Sequence, residues 1–328
     1  MEIENRLFRR RRSENSIDAG SLEKITGFEL EKGLDVTSLV KRYKNLGFQA
    51  SQLGRAAELL ERMKKEEASI FLSCSANIIS SGLREIVAQL VKLKLVKGIV
   101  ATTAFVEEDV IKTLSPFLLG SFDVDDNEVK ANKLNRIGNI FVSDESYIAL
   151  EKWHNDFLKD FCLKSRTIVP SEYIAEIGKK LSDKRSVLYW AAKNEVPIFC
   201  PGFVDGALGD HFFIFNEKRH ADEKLIIDAA ADLTKFYKLI LEPKRIGAVI
   251  LGGGIAKHHL IGAAILRDGL DYAIYISTGN EYDGSLSGAK PKEAVSWNKL
   301  KSSKNSVAID AEATLVFPLL AHVWIHGS

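Results

Sequence analysis

Six short apolar runs, separated by stretches of helical period, constrain the fold of this chain more than any other feature. SIFLS (69–73), GIVATT (98–103), VPIFCP (196–201), GAVIL (247–251), DYAIYIS (271–277) and SVAID (306–310) each read as a short buried strand, and 139–142 is strand-like as well. Between them the apolar residues recur at helical spacing. Helices are predicted over 38–46, closed by Gly47, and from Ser51 onward, with Leu53, Ala56, Ala57, Leu60 and Met63 on one face. Further helices are predicted over 83–95, 106–114, 143–163, from Pro170, over 186–194 and over 257–269, closed by Gly269. One more covers 221–241, with Ile226, Ile227, Ala230, Leu233 and Tyr237 on its apolar face. Alternation of the two element types along the chain predicts an α/β fold: a doubly wound, mostly parallel sheet with helices on both faces. In such a sheet ligands bind beyond the carboxyl ends of the strands.

The bulk properties narrow the class. A chain of 328 residues with 46% apolar side chains can bury a large core, and no apolar run is long enough to span a bilayer. The start, MEIENRLFRRRRSENS, lacks the apolar centre of a signal peptide, so a cytoplasmic protein is expected. A net charge of +1 argues against a general nucleic-acid binder. Cys74, Cys162 and Cys200 are widely spaced, form no CxxC, and read as structural thiols in a reducing compartment. Metal-ligand spacing is absent, because His258 and His259 are adjacent and so cannot share a helix face. Residues 1–35, with the basic run Arg9 to Arg12, read as a polar solvated arm, and 36–328 as a single domain.

Chemistry concentrates between Gly252 and Lys299. LGGGIAKHH, EYDGS and SGAKPKEAVSWNK place a glycine turn, paired histidines, the acids Glu281, Asp283 and Glu293, and a lysine beside a tryptophan in one stretch. A partly desolvated lysine, or one close to another cation, becomes a nucleophile toward carbonyl-like carbons. Acids nearby suit a cationic substrate, and glycines suit a backbone that passes close to a ligand. Earlier in the chain, CSANIISSG follows a strand and precedes a helix, an order that favours phosphate binding. Asp205 and Asp210 lie in a glycine-rich turn after VPIFCP. Glu107 and Glu108 are expected in the first turn of a helix, where acids favour the dipole.

SANIISSGLREIV, VEEDVIKTL, NRIGNIFV, DGALGD, LGGGIAKHH, EYDGS and SGAKPKEAVSWNK together resemble the deoxyhypusine synthase family over residues 47–318. The resemblance implies a Rossmann-like α/β fold and a homotetramer with sites for NAD and substrate at dimer interfaces. It implies NAD-dependent oxidation of spermidine, passage of the aminobutyl group to an enzyme lysine, and transfer to a lysine of translation initiation factor 5A. Lys299 takes the nucleophile's place in the SW-x-K motif, and His258 is implied between substrate and nicotinamide. Trp297 would line the polyamine site, with Asp210 and Glu293 pairing with amines, and Glu107, Gly284, Ser285 and Leu286 completing the substrate side. The cofactor side is implied for Ala76, Asn77, Ser80, Thr102, Thr103, Ala104, Glu108, Asp205, Gly253, Thr278, Gly279, Glu312 and Ala313. Four positions, at three places, depart from the family pattern. Ala104-Phe105 replaces a glycine pair and is expected to put bulk where backbone approaches the cofactor. Leu286 replaces an aspartate that helps hold a polyamine amine, and Glu312 replaces an aspartate on the ribose side. Leu286 leaves open a small-amine acceptor, as in homospermidine synthase, or another donor such as agmatine. Phe105 leaves open a non-catalytic NAD-binding subunit.

Overall fold

The computed structural model describes residues 18–327. Its centre is a six-stranded sheet formed by β1 (Ser69–Cys74), β2 (Gly98–Ala101), β3 (Ile198–Phe199), β4 (Ile246–Leu251), β5 (Tyr272–Ser277) and β6 (Ser306–Asp310). The order is β6-β5-β4-β1-β2-β3, and every pairing is parallel. From β1 the chain steps outward through β2 to β3, then returns to the other side of β1 and steps outward again to β6. The strand order therefore reverses between β1 and β4, the point where a doubly wound sheet opens a crevice at its carboxyl edge. Register keeps that edge level, because Cys74 lies opposite both Ala101 and Leu251.

Side chains alternate between two apolar layers, as the pleat requires. Ile70, Leu72, Val249, Leu251, Ile274 and Ile276 enter one core cluster, while Phe71, Ala248, Ile250, Ala273 and Tyr275 enter the other. Helices close both faces: α1 (Phe48–Lys65), α2 (Arg84–Lys92), α3 (Thr103–Leu114), α4 (Asp144–Cys162), α5 (Pro170–Lys180), α6 (Val187–Asn194), α7 (Ala207–Glu217), α8 (Ala229–Leu241), α9 (Gly254–Ala263), α10 (Pro291–Ser296) and α11 (Ala313–His326). The parallel α/β architecture expected from the alternation is the one observed. No helix among the described residues is long and apolar enough to cross a membrane. Cys74 and Cys200 are buried and Cys162 is half-buried, all three unpaired, and burial raises each thiol above its ordinary range.

Local chemistry moved several boundaries. The strand expected over 98–103 stops at Ala101; Thr102 is extended and Thr103 already opens α3. Glu107 and Glu108 are therefore in the second turn of that helix, and the dipole does not explain them. The helix expected over 221–241 is broken: Ile226–Ile227 pairs as a two-residue strand with Thr167–Ile168. The Asp228 carboxylate then accepts the Ala231 amide at 2.8 Å and starts α8. The polar segment 121–135 contains its own helix, Asp126–Ala131, capped by Asp125. The apolar run 211–215, HFFIF, lies within α7.

The described part of the N-terminal stretch, 18–35, lies along the segment 42–45. Thr26 donates its amide to the Asn45 carbonyl at 2.9 Å, and Glu23 and Glu31 pair with Lys44 and Arg42, each at 3.2 Å. Such exposed pairs contribute little to stability. The run Arg9 to Arg12 lies outside the described residues.

Candidate active site

Loops at the carboxyl edge carry the sequence-predicted residues in strand order. Ala76, Asn77 and Ser80 follow β1; Thr102, Thr103 and Ala104 follow β2; Asp205 follows β3. Gly253 follows β4, Thr278 and Gly279 follow β5, and Glu312 and Ala313 follow β6. Two of these take structural partners: Thr103 donates its hydroxyl to the Gly202 carbonyl at 2.9 Å, and the Glu312 carboxylate caps α11 at Thr314. Phe105 does not enter the crevice. It points inward, with 0% of its surface exposed, in the core cluster beneath α3. A helix started at Thr103 turns position 105 toward the sheet, so the bulk expected against a cofactor is core instead.

Three consecutive acids of α3 organise the β1–β2 side. Glu107 is buried and accepts the Leu208 amide at 2.7 Å, which caps α7, the helix that carries Asp210. Gly206 makes this possible: it has φ +148°, and a Cβ there would lie 2.5 Å from Glu107 Oε1. Asp205 and Asp210 are exposed at the same helix start. Glu108 accepts the Ser80 hydroxyl and so ties the loop after β1 to α3. Burial pushes both carboxyl groups up to about 7, and for Glu107 the charges of Asp210 and Asp205 add to the rise. A carboxyl raised in the folded state binds more protons than in the unfolded chain. Its favourable contribution is complete below the unfolded value of 4.5 and is lost as pH rises toward about 7. The stability of Glu107→Gln relative to wild type is therefore expected to rise by on the order of 3 kcal/mol between pH 4.5 and 7 and then level off. Urea unfolding of both proteins across that range measures it; a flat difference would contradict the buried-carboxyl assignment.

Behind α7 lies a polar chain that sequence patterning did not signal. His154 Nδ1 is 2.9 Å from His211 Nδ1, and His154 Nε2 is 2.6 Å from the Tyr173 hydroxyl. The three residues join α4, α7 and α5. Burial pushes His154 down to about 3 and lowers His211, so neutral rings linked by one directed run of hydrogen bonds fit this geometry.

The β4–β5 side begins with the glycine turn. Gly252 (φ +86°) and Gly254 (φ +64°) are left-handed, and a Cβ on Gly253 would lie 2.5 Å from the Cα of Ser287. Ser287 accepts the Gly254 amide at 2.9 Å, which joins this turn to the loop 285–289. In α9 the KHH triplet splits three ways, because consecutive helical residues point about 100° apart. Lys257 is 2% exposed and donates from Nζ to the carbonyls of Leu286 (2.7 Å) and Ala289 (2.8 Å), 4.5 Å from the Tyr275 ring centroid. Burial pushes it down to about 8, with Lys290 and Lys299 adding to the fall against Glu293. His258 is exposed. His259 stacks on Phe236 at 4.6 Å, and burial pushes it down to about 4.

A small pocket lies between α9, α10 and β5, with Lys257, Tyr275, Leu286, Glu293, Trp297 and Lys299 in its lining. Trp297 ends α10 and is 63% exposed, and Asn298 reverses the chain with φ +53°. Lys299 is then held by its backbone, donating to Ala294 at 2.9 Å and accepting from Leu270 at 3.1 Å. Its half-buried side chain places Nζ 5.2 Å from the Trp297 ring centroid. The pocket thus unites Lys299, Trp297, Glu293 and Leu286. His258, Gly284, Ser285 and Asp210 do not line it. Lys257 and Tyr275 were missed from sequence. Strand alternation could have placed Tyr275, but the burial of Lys257 had no local signal.

Among the described residues two buried hydroxyls have no protein partner: Thr102 Oγ1 at the end of β2 and Tyr275 Oη in the pocket. Buried polar atoms are normally satisfied, so each is a place for a ligand atom or water. With the left-handed glycines at the strand-order reversal, they fit a bound dinucleotide at the crevice and a polar substrate in the pocket. No group of three or more His, Cys, Asp or Glu among the described residues is arranged to hold a metal ion.

The deoxyhypusine synthase family model matches residues 38–324. The protein named "Probable deoxyhypusine synthase" of Pyrococcus abyssi is 44% identical over 316 residues, covering 92% of this chain and 93% of its own length. "Deoxyhypusine synthase" of Candida glabrata is 38% identical over 87% of this chain and 85% of its own. A crystal structure from Entamoeba histolytica assigned to the same enzyme superposes with a TM-score of 0.64 at 27% identity, covering 91% of this chain and 96% of that one. The chain is a transferase that belongs to the deoxyhypusine synthase family.

Proposed function

We propose that this enzyme transfers the 4-aminobutyl group of spermidine, through an imine on Lys299, to a lysine of translation initiation factor 5A in the cytoplasm, and that it works as a homotetramer. One observation carries the choice of nucleophile. Three lysines line the pocket, and two are engaged: Lys257 by two carbonyls and Lys290 by Asp310. Among the described residues Lys299 Nζ has no hydrogen-bond or ion-pair partner, which suits an amine that must react.

When bound, NAD would supply the hydride acceptor for oxidation of the donor and the hydride source for the closing reduction. It would be held by the loops 76–80, 102–104, 252–254 and 278–279. The chain's own residues do the rest. The Lys299 amine adds to the oxidised donor carbon, and the proton its nitrogen gives up passes to diaminopropane as the bond to that amine breaks. The acceptor lysine then displaces Lys299 by the same exchange. Trp297 supplies an apolar wall and a cation–π face for the chain of methylenes and ammonium. Glu293 would pair with one ammonium and the Tyr275 hydroxyl would hold a donor nitrogen, and the resemblance gives His258 of α9 the part of moving a proton near the reacting carbon. Incubation with NAD and spermidine, borohydride reduction and peptide mapping should find an aminobutyl-sized addition on Lys299. An addition on another residue, or none, would remove the proposal.

Leu286 supports a second reading, with agmatine as donor or a small amine as acceptor. Its side chain is half-buried against the apolar cluster, and Glu293 is the one carboxylate in the pocket lining. Leu286→Asp supplies a second. A charge-assisted hydrogen bond contributes about 1.5–3 kcal/mol, so the variant is expected to lower KM for spermidine by roughly tenfold or more. Initial rates with spermidine and with agmatine measure the shift; an unchanged KM for spermidine would favour the alternative donor.

A further inference from the structure

We infer that Lys112, which none of the readings above uses, is a positioning residue for the dinucleotide loop. The loop after β1 contains a single helical turn, Asn77–Ser80, whose last carbonyls have no intrahelical partner. Lys112 Nζ donates to three of them at once: Ile79 (2.5 Å), Ser80 (2.8 Å) and Ser81 (2.8 Å). That uses all three protons of the ammonium. Lys112 follows Glu108 by four residues, so the two share one face of α3. Glu108 holds the same turn by the Ser80 hydroxyl. The loop is thus gripped twice from one helix, by side chain and by backbone.

The grip lies where it can matter for binding. Ala76 is half-buried and Asn77 exposed at the carboxyl end of β1, beside the reversal of strand order. The loop is fixed besides at Cys74 in the sheet and by Ile78 and Ile79 in the core, which leaves the direction of its backbone amides and carbonyls to the grip from α3. Without Lys112, three carbonyls at the C-terminus of the turn lose their donors, and the amides at its other end lose their orientation. The inference rests on the proposal that this loop carries the dinucleotide.

A second lysine offers the control. Lys64, near the end of α1 and before β1, donates to the carbonyls of Trp324 and Gly327 at the end of α11. The chemistry is the same, but the place is the opposite edge of the sheet. NAD should be titrated by calorimetry into the full-length wild type, Lys112→Met and Lys64→Met, with thermal unfolding of each and steady-state rates. Lys112→Met is expected to raise Kd and KM for NAD at least tenfold, with kcat at saturating NAD within about twofold of wild type. Lys64→Met is expected to lose thermal stability and keep the wild-type Kd. Should Lys112→Met not fold, Lys112→Gln, which keeps a donor for one carbonyl, is expected to show a smaller rise. A Kd within twofold of wild type in the folded Lys112 variant, beside wild type that binds NAD, overturns the inference alone. Wild type that does not bind NAD overturns the dinucleotide reading and this inference with it.

Discussion

Lys299→Arg is expected to bind NAD as wild type does and to lose aminobutyl transfer by roughly four orders of magnitude or more, the scale lost when a covalent nucleophile is removed. The substitution keeps length and charge, and it keeps a cation over the Trp297 face. What it removes is the neutral state, because a guanidinium stays protonated at every accessible pH. The reaction needs a lone pair on nitrogen 299, and the other two lysines of the pocket lining are held by partners. Lys257 is bonded to Leu286 and Ala289 beneath the loop, and Lys290 is paired with Asp310. Single-turnover assays with reductive trapping read the loss directly. An adduct that persists in the variant would identify a different nucleophile, and peptide mapping would name it.

Asp109→Ala is expected to cost about 3–5 kcal/mol of folding stability, the largest effect of any single truncation outside the apolar core. Arg84 and Asp109 are 1% and 0% exposed, and the guanidinium Nε donates to Oδ1 at 2.5 Å. The other oxygen accepts the Ser186 hydroxyl at 2.7 Å and the Leu188 amide at 2.8 Å, so the same carboxylate starts α6. Truncation leaves the buried guanidinium only the longer pairing with Asp183 (3.4 Å), and it removes the acceptor of the Leu188 amide and of the Ser186 hydroxyl that caps α6. Guanidinium chloride unfolding monitored by circular dichroism measures the loss. A change under about 1 kcal/mol would mean that water reaches Arg84 and replaces the carboxylate.

The VEED segment illustrates how differently sequence and structure constrain one stretch. Its helix was legible from spacing, and the resemblance pointed to Glu107 and Glu108. Neither could reveal that three adjacent acids serve three separate elements: Glu107 the start of α7, Glu108 the loop after β1, Asp109 the start of α6. Those partners lie 28 to 101 positions away in the chain. The break before α8 was missed for a simpler reason. Ile226 and Ile227 continue the apolar spacing of a helix, and only pairing with Thr167–Ile168 assigns them to a strand.

Sequence by itself determined the alternation of strand and helix, hence the doubly wound sheet, and it marked the glycine turn and the Trp297–Lys299 segment. These are local properties, set by periodicity and by the conformational range of single residues. Tertiary structure alone decided which lysine is left unpartnered, which acids are buried, and that Phe105 turns into the core. Each of those depends on competition among donors, acceptors and apolar surfaces that meet only after the chain has folded, and no spacing rule encodes the outcome.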